Sequence, residues 1–365
     1  MSRTVHVDLH ERSYDIHIGG EAPFGETLKD RAGDRALIVT DSNVGPLYAA
    51  GRERSLRDLG FRTACSVVPA GEKSKDLKTV ARLYDEALKA GLDRRSVIVA
   101  LGGGMVGDLA GFVAATFLRG IALVQAPTTM LAMVDSSVGG KTGVNLAQGK
   151  NLVGAFHQPI EVDASLSTLK SLPEREYISG LAEVVKYGVI WDGEFFGKLE
   201  SNTEALIRRD EALVEEVVAR CCEIKAEVVA VDEREGGVRA ILNFGHTLGH
   251  ALEQAGGYGR LLHGEAVAIG MVYAAEISTL EKGFPRGDCD RLSELLRRLG
   301  LPTVQAGGVP KWAELREAMT ADKKARGSEP RFVLAERLGA VAYGCKVRDE
   351  TLSEVFSRAS GSRAR

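Results

Sequence analysis

The stretch SVIVALGGGMVGDLAGF, Ser96–Phe112, decides the fold of this chain. Five of its first six residues are apolar, and three of these are β-branched, which predicts a buried strand. Gly102, Gly104 and Gly107 follow at GxGxxG spacing and lead into a helical pattern. Glycines in such a turn let backbone N–H groups and the positive end of the next helix approach a pyrophosphate. The stretch therefore predicts a dinucleotide-binding βα unit, with a glycine-rich turn that binds no ligand as the alternative.

The sequence on either side extends this unit into a parallel sheet. ALIVT (36–40) and IALVQA (121–126) are predicted strands that alternate with amphipathic helical stretches, and their carboxyl ends lie where ligands usually bind. VHVDLHERSYDIHI (5–18) is predicted as one alternating strand. The glycine-dense segment 127–159 is predicted to be a mobile connection that closes over an anion.

From about Leu172 the pattern changes to long helical periods, with strand candidates returning only near residues 331–347. The prediction is an α/β N-terminal domain, 1–172, with a parallel sheet and a Rossmann-like dinucleotide site, which the family resemblance described below implies to be an NAD site. A mainly α-helical domain, 173–365, follows it. One detail departs from the usual dinucleotide fingerprint, because Pro127, Thr128 and Thr129 stand where an acidic ribose ligand is expected. Asp41, Glu72 and Lys75 are the other candidates, and each could equally be a solvated loop charge.

Composition excludes several classes of protein. The 365 residues are 44% hydrophobic and carry a net charge of −3, so they lack the basic excess typical of nucleic-acid binding. Five cysteines, none in a CxxC pair, predict reduced thiols. No apolar run reaches the ~18 residues of a membrane span, and the N-terminus has no signal-peptide pattern. We expect a cytoplasmic protein that binds neither nucleic acid nor membrane.

Histidines and a glutamate in the second half indicate a metal site. His246 and His250 are spaced i, i+4, which places both on one helix face, and His263 follows shortly after them. With the upstream Glu183, these residues match the nitrogen and carboxylate ligands that zinc favours. Histidines satisfied near an apolar core are the alternative. Lys186 is spaced i, i+3 from Glu183, so one face could hold both a metal and a phosphate, with a surface salt bridge as the alternative.

Six long blocks resemble the 3-dehydroquinate synthase family of the sugar phosphate cyclase superfamily. They are GGGMVGDLAGFVAATFLRG (102–120), PTTMLAMVDSSVGGKTGVN (127–145), GKNLVGAFHQP (149–159), LPEREYISGLAEVVKYG (172–188), DEREGGVRAILNFGHTLGHALE (232–253) and LHGEAVAIGM (262–271). The resemblance implies an NAD- and zinc- or cobalt-dependent homodimer of the shikimate pathway. Its implied reaction converts 3-deoxy-D-arabino-heptulosonate 7-phosphate to 3-dehydroquinate and phosphate. The steps are transient oxidation by NAD, β-elimination, re-reduction and intramolecular aldol closure.

The resemblance also implies the site residues. The metal ligands become Glu183, His246 and His263, which corrects the grouping suggested by spacing, while His250 handles protons. The implied NAD set is Asp41, Gly71, Glu72, Lys75, Gly103, Gly104, Met105, Val106, Gly107, Asp108, Thr128, Thr129, Lys141, Lys150, Thr168, Leu169, Lys170 and Ser171. The implied substrate and catalytic set is Asp135, Lys141, Asn151, Lys186, Lys225, Arg239, Asn243, His250 and Lys323, with Arg119 reaching the neighbouring subunit's site. Lys324 is the alternative to Lys323.

Three other functions remain to be weighed. Another sugar phosphate cyclase would act on a substrate without a carboxylate and would differ at the positions of Lys225, Arg239, Asn243 and His250. A metal-dependent polyol dehydrogenase would accumulate NADH, whereas a cyclase returns NAD to its starting state. A catalytically inactive binding protein would show no activity that depends on metal.

Overall fold

A computed structural model describes residues 3–19, 26–255, 260–304, 314–319 and 330–361. The chain divides into two compact units. Unit 1 comprises Met1–Pro173 and Val214–Arg234, and unit 2 comprises Glu174–Leu213 and Glu235–Arg365. The sequence-based division placed everything after residue 172 in the second domain, but most of the helix Glu211–Val231 belongs to unit 1. Side-chain contacts made within unit 1 explain this difference, because Lys225 binds Asp135 and the Cys222 thiol donates to the Met133 carbonyl.

Unit 1 is built on a seven-stranded sheet. The strands in the unit are β1 Arg3–Val7, β2 Tyr14–Gly19, β3 Arg35–Asp41, β4 Arg62–Val68, β5 Val97–Gly102, β6 Ala122–Pro127, β7 Lys141–Leu146, β8 Gly149–Phe156 and β9 Glu161–Ser165. The order in the large sheet is β1-β2-β9-β6-β5-β3-β4. Only β1 pairs antiparallel; the remaining neighbours are parallel. The predicted parallel sheet and its strands at 36–40, 96–101 and 121–126 are confirmed.

The N-terminal prediction of a single strand is wrong. A turn at His10–Arg12 separates β1 from β2, and His10 takes a left-handed conformation with φ of 57°. The two strands then pair with each other from Arg3 opposite Ile18 to Val7 opposite Tyr14. Alternating hydrophobicity is the same in one long strand and in a hairpin of two short ones, so the pattern alone did not reveal the turn.

The helices of unit 1 cover this sheet. Besides most of the helix Glu211–Val231, they are α1 Glu26–Arg31, α2 Gly45–Asp58, α3 Leu77–Lys89 and α4 Gly104–Thr116. The strand β5 is buried along its whole length, as its continuous apolar sequence requires. Asp76 begins α3 by accepting a hydrogen bond from the Thr79 N–H at 2.7 Å.

A β-hairpin stands where the sequence predicted a mobile connection. β7 and β8 pair antiparallel, from Lys141 opposite Phe156 to Val144 opposite Val153. A Cβ at Gly154 would lie 2.3 Å from the Thr142 carbonyl oxygen. Glycine here therefore allows two backbones to approach closely, and a high glycine content did not by itself indicate a loose loop.

Unit 2 is mainly helical, as predicted. Its helices are α5 Glu174–Ile190, α6 Gly193–Ser201, α7 Thr203–Ile207, α9 His246–Ala255, α10 His263–Glu281, α11 Arg286–Arg298 and Asp349–Gly361, and residues 314–319 are also helical; the helix Glu211–Val231 is α8. A hairpin of β10 Phe332–Arg337 and β11 Ala340–Cys345 completes the unit. Across the described residues, no helix combines the length and apolar character that crossing a bilayer requires.

Glycines bring α5, α9 and α10 close together. A Cβ at Gly264 would lie 1.8 Å from the Ser179 carbonyl oxygen on α5. A Cβ at Gly270 would lie 2.0 Å from the Gly245 carbonyl oxygen at the start of α9. The Gly264 N–H also donates to Ser179 Oγ at 3.1 Å. Because only glycine fits at these two crossings, these positions determine how deeply α10 packs against its neighbours.

Candidate active site

Three potential metal ligands converge where α5, α9 and α10 meet. Glu183 lies four residues after Ser179 on α5, and His246 and His263 begin α9 and α10. Glu183 Oε1 is 3.4 Å from His246 Nε2 and 3.7 Å from His263 Nε2. One ligand atom from each residue lies within 4.8 Å of the others. Two imidazole nitrogens and a carboxylate oxygen are a donor set typical of catalytic zinc, which retains an open position for water or substrate.

Burial supports the neutral state that ligation requires of a histidine. Desolvation lowers the pKa of His246 well below its ordinary value, and the nearby Lys186, His250 and His263 lower it further. The His246 side chain is 11% exposed. A neutral imidazole at physiological pH has a lone pair available for a metal.

The Glu183 carboxylate shows why a cation fits here. It is completely buried, and neither of its oxygens has a hydrogen bond from the residues that the structure describes. Lys186, itself 1% exposed, forms an ion pair with Oε2. A buried carboxylate without hydrogen bonds is costly unless opposite charge compensates it. The residues present therefore fit a divalent cation.

A second triplet, His250, Glu253 and His263, also lies within ligand distance. His250 is exposed, and the Glu253 carboxylate faces His263 Nδ1 at 3.2 Å. His263 Nε2, in contrast, faces buried Glu183. If the first triplet, Glu183, His246 and His263, binds the metal, His263 uses Nε2 as the ligand atom while Nδ1 keeps its contact with Glu253. Both nitrogens of His263 then have a partner, so the first triplet is the better metal site. The ring of His250 lies 5.4 Å from that of His246 by centroids, beside the site but outside its ligand set.

The other predicted residues of unit 2 are Arg239 and Asn243. Arg239 is the largest of the fully buried side chains and is 1% exposed. Asn243 Nδ2 donates to Glu235 Oε1 at 2.9 Å. Sequence analysis did not name Glu235 or Glu253. The position of Glu253, seven residues after His246 and therefore two turns along the same helix face, is a signal that could have identified it. Lys323 and its alternative Lys324 lie outside the described residues.

In unit 1 the predicted cofactor residues follow the carboxyl ends of adjacent parallel strands. Asp41 ends β3, Gly103 follows β5, Thr128 follows β6 and the turn Leu166–Lys170 follows β9. Because these strands are neighbours in the sheet, the residues line one edge. Such an edge is where open α/β sheets bind nucleotides.

The turn into α4 has the properties of a phosphate site. Gly103 caps the helix without a side-chain hydrogen bond, which leaves the first-turn N–H groups to other acceptors. A Cβ at Gly104 would lie 2.9 Å from Ser136 Oγ, and one at Gly107 would lie 2.8 Å from Gln125 Oε1. The buried hydroxyls of Thr128 and Ser136 lack hydrogen-bond partners within the described part of the chain. Bare backbone donors and unsatisfied hydroxyls along this edge fit a dinucleotide.

Lys75 organises a polar cluster beside this turn. Its Nζ donates to Asp108 Oδ2 and to Asn151 Oδ1, each at 2.5 Å. Asn151 adopts a left-handed φ of 55°, and its N–H donates to Asn145 Oδ1 at 2.8 Å. Burial raises the pKa of Asp108, while the Lys75 charge opposes that rise. Glu72 joins the cluster through Asn145, whose Nδ2 donates to Glu72 Oε1 at 2.7 Å.

The remaining predicted residues of unit 1 occupy separate elements. Lys225 Nζ donates to the Asp135 carbonyl at 2.6 Å and to its Oδ1 at 2.5 Å, which joins α8 to the turn Ala132–Ser136. Lys141 begins β7 and Lys150 lies in β8. Arg119 has a left-handed φ of 71°. Of the other cofactor positions, Met105 and Val106 lie in α4 and Thr168, Leu169 and Lys170 lie in the turn Leu166–Lys170. Gly71, Thr129 and Ser171 lie in bends or turns outside the helices and strands.

Comparison with known proteins identifies relatives over nearly the full chain. The family model described as 3-dehydroquinate synthase N-terminal matches residues 65–179, and that described as 3-dehydroquinate synthase C-terminal matches residues 180–325. The chain is 48% identical over 358 residues to the 3-dehydroquinate synthase of Desulforamulus reducens, an alignment that covers 97% of this chain and 99% of that protein.

Two solved structures of sugar phosphate cyclases are also similar. 2-Deoxy-scyllo-inosose synthase, complexed with carbaglucose-6-phosphate, NAD+ and Co2+, is 29% identical with a TM-score of 0.88, over 98% of this chain and 99% of that one. 2-Epi-5-epi-valiolone synthase from Streptomyces hygroscopicus, with NAD+ and Zn2+ bound, is 26% identical with a TM-score of 0.88, over 97% of this chain and 99% of that one.

Proposed function

The chain belongs to the 3-dehydroquinate synthase family, and we propose that it converts 3-deoxy-D-arabino-heptulosonate 7-phosphate to 3-dehydroquinate and inorganic phosphate. The observation that carries this proposal is the buried, hydrogen-bond-deficient Glu183 beside two imidazole nitrogens. The identity of 48% with a 3-dehydroquinate synthase exceeds the 29% and 26% with the two other cyclases and favours this substrate over theirs. The reaction makes the enzyme a phosphate-eliminating lyase.

Two cofactors would complete the enzyme, as the NAD+ with Co2+ or Zn2+ of the neighbouring structures supports. Glu183, His246 and His263 would hold the divalent ion, which when bound supplies a Lewis acid that acidifies a substrate hydroxyl. The carboxyl edge of the sheet and the turn into α4 would hold NAD, which when bound supplies a reversible hydride acceptor.

Side chains of unit 2 would bind and orient the substrate. Lys186 and Arg239 are buried cations, and cations of this kind recognise phosphate and carboxylate. Asn243, fixed by Glu235, would orient a hydroxyl. His250 is exposed and lies beside the ligand cluster, so it can exchange protons with both solvent and substrate.

In unit 1, Lys225 would also contribute to anion binding. Asp135 holds its ammonium group through two hydrogen bonds and so limits the positions that the charge can take. Lys141 and Asn151 complete the proposed set in this unit. The family resemblance supports Arg119 acting at a neighbouring subunit, and with it a cytoplasmic homodimer; sedimentation velocity of the purified chain tests the dimer.

Phosphate release from the acidic heptulosonate phosphate tests the proposal. The assay is run with the chelated, cofactor-stripped protein, and activity is expected only when both NAD and zinc are restored, with no net change in absorbance at 340 nm. NADH accumulation would instead indicate a polyol dehydrogenase, and activity restricted to a hexose phosphate or a neutral heptulose phosphate would indicate another cyclase.

A single-residue control sharpens this assay. His263→Ala should abolish phosphate release while leaving the fold nearly intact, because a catalytic ligand is not needed for folding. His6→Ala, at an exposed histidine of β1, should leave turnover unchanged. Wild-type turnover by His263→Ala would contradict the ligand assignment.

A further inference from the structure

Each ligand imidazole is held through the nitrogen that faces away from the metal site. His246 Nδ1 lies 3.1 Å from the Phe244 carbonyl oxygen. His263 Nδ1 lies 3.2 Å from Glu253 Oε2. Both Nε2 atoms face Glu183 Oε1. An acceptor at Nδ1 selects the tautomer with its proton on Nδ1, and that tautomer presents the Nε2 lone pair.

The two anchors differ in strength. A backbone carbonyl beside His246 is a neutral acceptor, whereas Glu253 brings a carboxylate that is only 10% exposed. Charge-assisted hydrogen bonds are about twice as strong as neutral ones. His263 is also the more exposed ligand, with 29% of its side chain accessible against 11% for His246, so it has more freedom to rotate. The stronger anchor therefore holds the ligand that packing restrains less.

Local structure fixes Glu253 for this contact. It lies on α9 two turns after His246, and that helix packs into the core of unit 2 through Leu248, Ala251 and Leu252. His263 is the first residue of α10, whose start is held by the Glu265 carboxylate accepting from the Leu262 N–H at 2.8 Å. Both partners thus stand on anchored helices, and the contact does not depend on a loop.

We propose that Glu253 is a positioning residue: it holds His263 in the Nδ1-protonated tautomer, aims Nε2 at the metal position and raises the basicity of that nitrogen. The inference rests on the proposed function, since it needs a metal bound by Glu183, His246 and His263. Removing such an outer partner of a metal-bound histidine typically weakens metal affinity by about 10- to 100-fold.

Zinc affinity, measured by chelator competition on metal-free protein, tests this role. Glu253→Ala is expected to bind zinc at least tenfold more weakly than the wild type, and Glu253→Gln to fall between them because it keeps an acceptor but loses the charge. Gln254→Ala, at the exposed neighbouring position of α9, is the control and should bind within twofold of the wild type. Affinity of Glu253→Ala within twofold of the wild type would overturn the inference; if that variant does not fold, wild-type affinity of Glu253→Gln would do so.

Two further measurements separate positioning from other roles. In nitrogen-15 NMR spectra of the metal-free chain, His263 should be protonated on Nδ1, and Glu253→Ala should show a mixture of tautomers; an unchanged tautomer would overturn the proposal. With Co2+ bound, the visible spectrum of Glu253→Ala should indicate the same coordination number as that of the wild type. Loss of a ligand in this variant would show that Glu253 binds the metal itself and would also overturn the proposal. Failure of the wild type to bind zinc would refute the proposed function, while the tautomer measurement would still test Glu253.

Discussion

Neutralising either member of the Glu183–Lys186 pair should destabilise the metal-free protein strongly. The two residues lie i, i+3 on α5 and are 0% and 1% exposed. Glu183→Gln would leave the Lys186 ammonium without its carboxylate partner, and Lys186→Met would leave the Glu183 charge without its ammonium. Breaking a buried ion pair from one side typically costs about 3–5 kcal/mol. We expect each single variant to lose stability in that range when the metal is removed.

A double variant measures the interaction energy between the two side chains. Glu183→Gln with Lys186→Met removes both charges, so its cost should be well below the sum of the single costs. Two unit charges about 4 Å apart attract by roughly 4 kcal/mol at an effective dielectric constant near 20. Measured couplings between contacting residues reach about 3 kcal/mol. A coupling energy of about 2–3 kcal/mol is therefore expected.

Urea unfolding followed by tryptophan fluorescence is the appropriate assay. Of the two tryptophans of the chain, Trp191 belongs to unit 2, which also contains the pair. The exposed pair Glu204–Arg208, whose charged atoms are 3.5 Å apart, is the control in the same unit. Exposed pairs of this kind contribute about 0.3–0.5 kcal/mol.

Two outcomes would refute this reasoning. One is a coupling energy for the buried pair no larger than that of Glu204–Arg208. The other is that adding zinc fails to reduce the loss in free energy of unfolding caused by Lys186→Met. A bound cation should balance the Glu183 charge in place of the lysine, so the variant is expected to regain much of its lost stability when zinc is added.

The remaining predictions concern other parts of the chain. Gly104→Ala should weaken NAD binding by about tenfold, measured by calorimetry, because a methyl group would enter the phosphate turn. The same variant should change the free energy of unfolding little, since the Ser136 hydroxyl, 2.9 Å from the new Cβ, can rotate away. Burial raises the pKa of the Cys222 thiol to about 12, so mass spectrometry after iodoacetamide treatment of the folded protein should find Cys222 unmodified and exposed Cys65 alkylated. Burial opposes ionisation of Glu265, but an arginine ion pair and a backbone N–H outweigh it and lower its pKa. The charged Glu265 should contribute under about 1 kcal/mol to the free energy of unfolding. This contribution should be present at pH 7 and be lost as the pH falls through the lowered pKa of Glu265. Urea unfolding should therefore show Glu265→Gln to be less stable than the wild type at pH 7 but not in acid.

Local patterns predicted those parts of the fold that depend on local chemistry. The stretch 96–112 forms β5 and α4 with the turn between them, because strand composition, glycine spacing and helix start all lie within one short segment. The helical second half was predictable for the same reason. Local patterns did not predict the turn within 5–18 or the β7–β8 hairpin. Which strands pair depends on both segments, so the sequence of one segment alone does not determine it.

Helical spacing was informative about the metal site but incomplete. An i, i+4 relation places His246 and His250 on one face of α9, and their rings are indeed neighbours. It does not say how deep each one lies: His246 is buried while His250, one turn later, is exposed. Depth is set by what packs against each turn, which spacing does not reveal. The residue pattern had grouped Glu183, His246, His250 and His263, and it was the resemblance that removed His250 from this ligand set.

The glycines of α10 explain why spacing in the sequence could not predict the full ligand set. Within a helix, glycine costs about 1 kcal/mol relative to alanine, so Gly264 and Gly270 appear in the sequence only as weak points. In the folded chain each lies against a carbonyl oxygen of a neighbouring segment, 1.8 and 2.0 Å from where a Cβ would be. Gly264 is adjacent to His263, and its partner Ser179 is one turn before Glu183, so this crossing sets the separation of two of the three donors. Gly264 thus lowers the local stability of α10 but allows the close approach that places two of the metal ligands. Any larger residue at position 264 should move His263 away from Glu183 while leaving α10 itself largely helical.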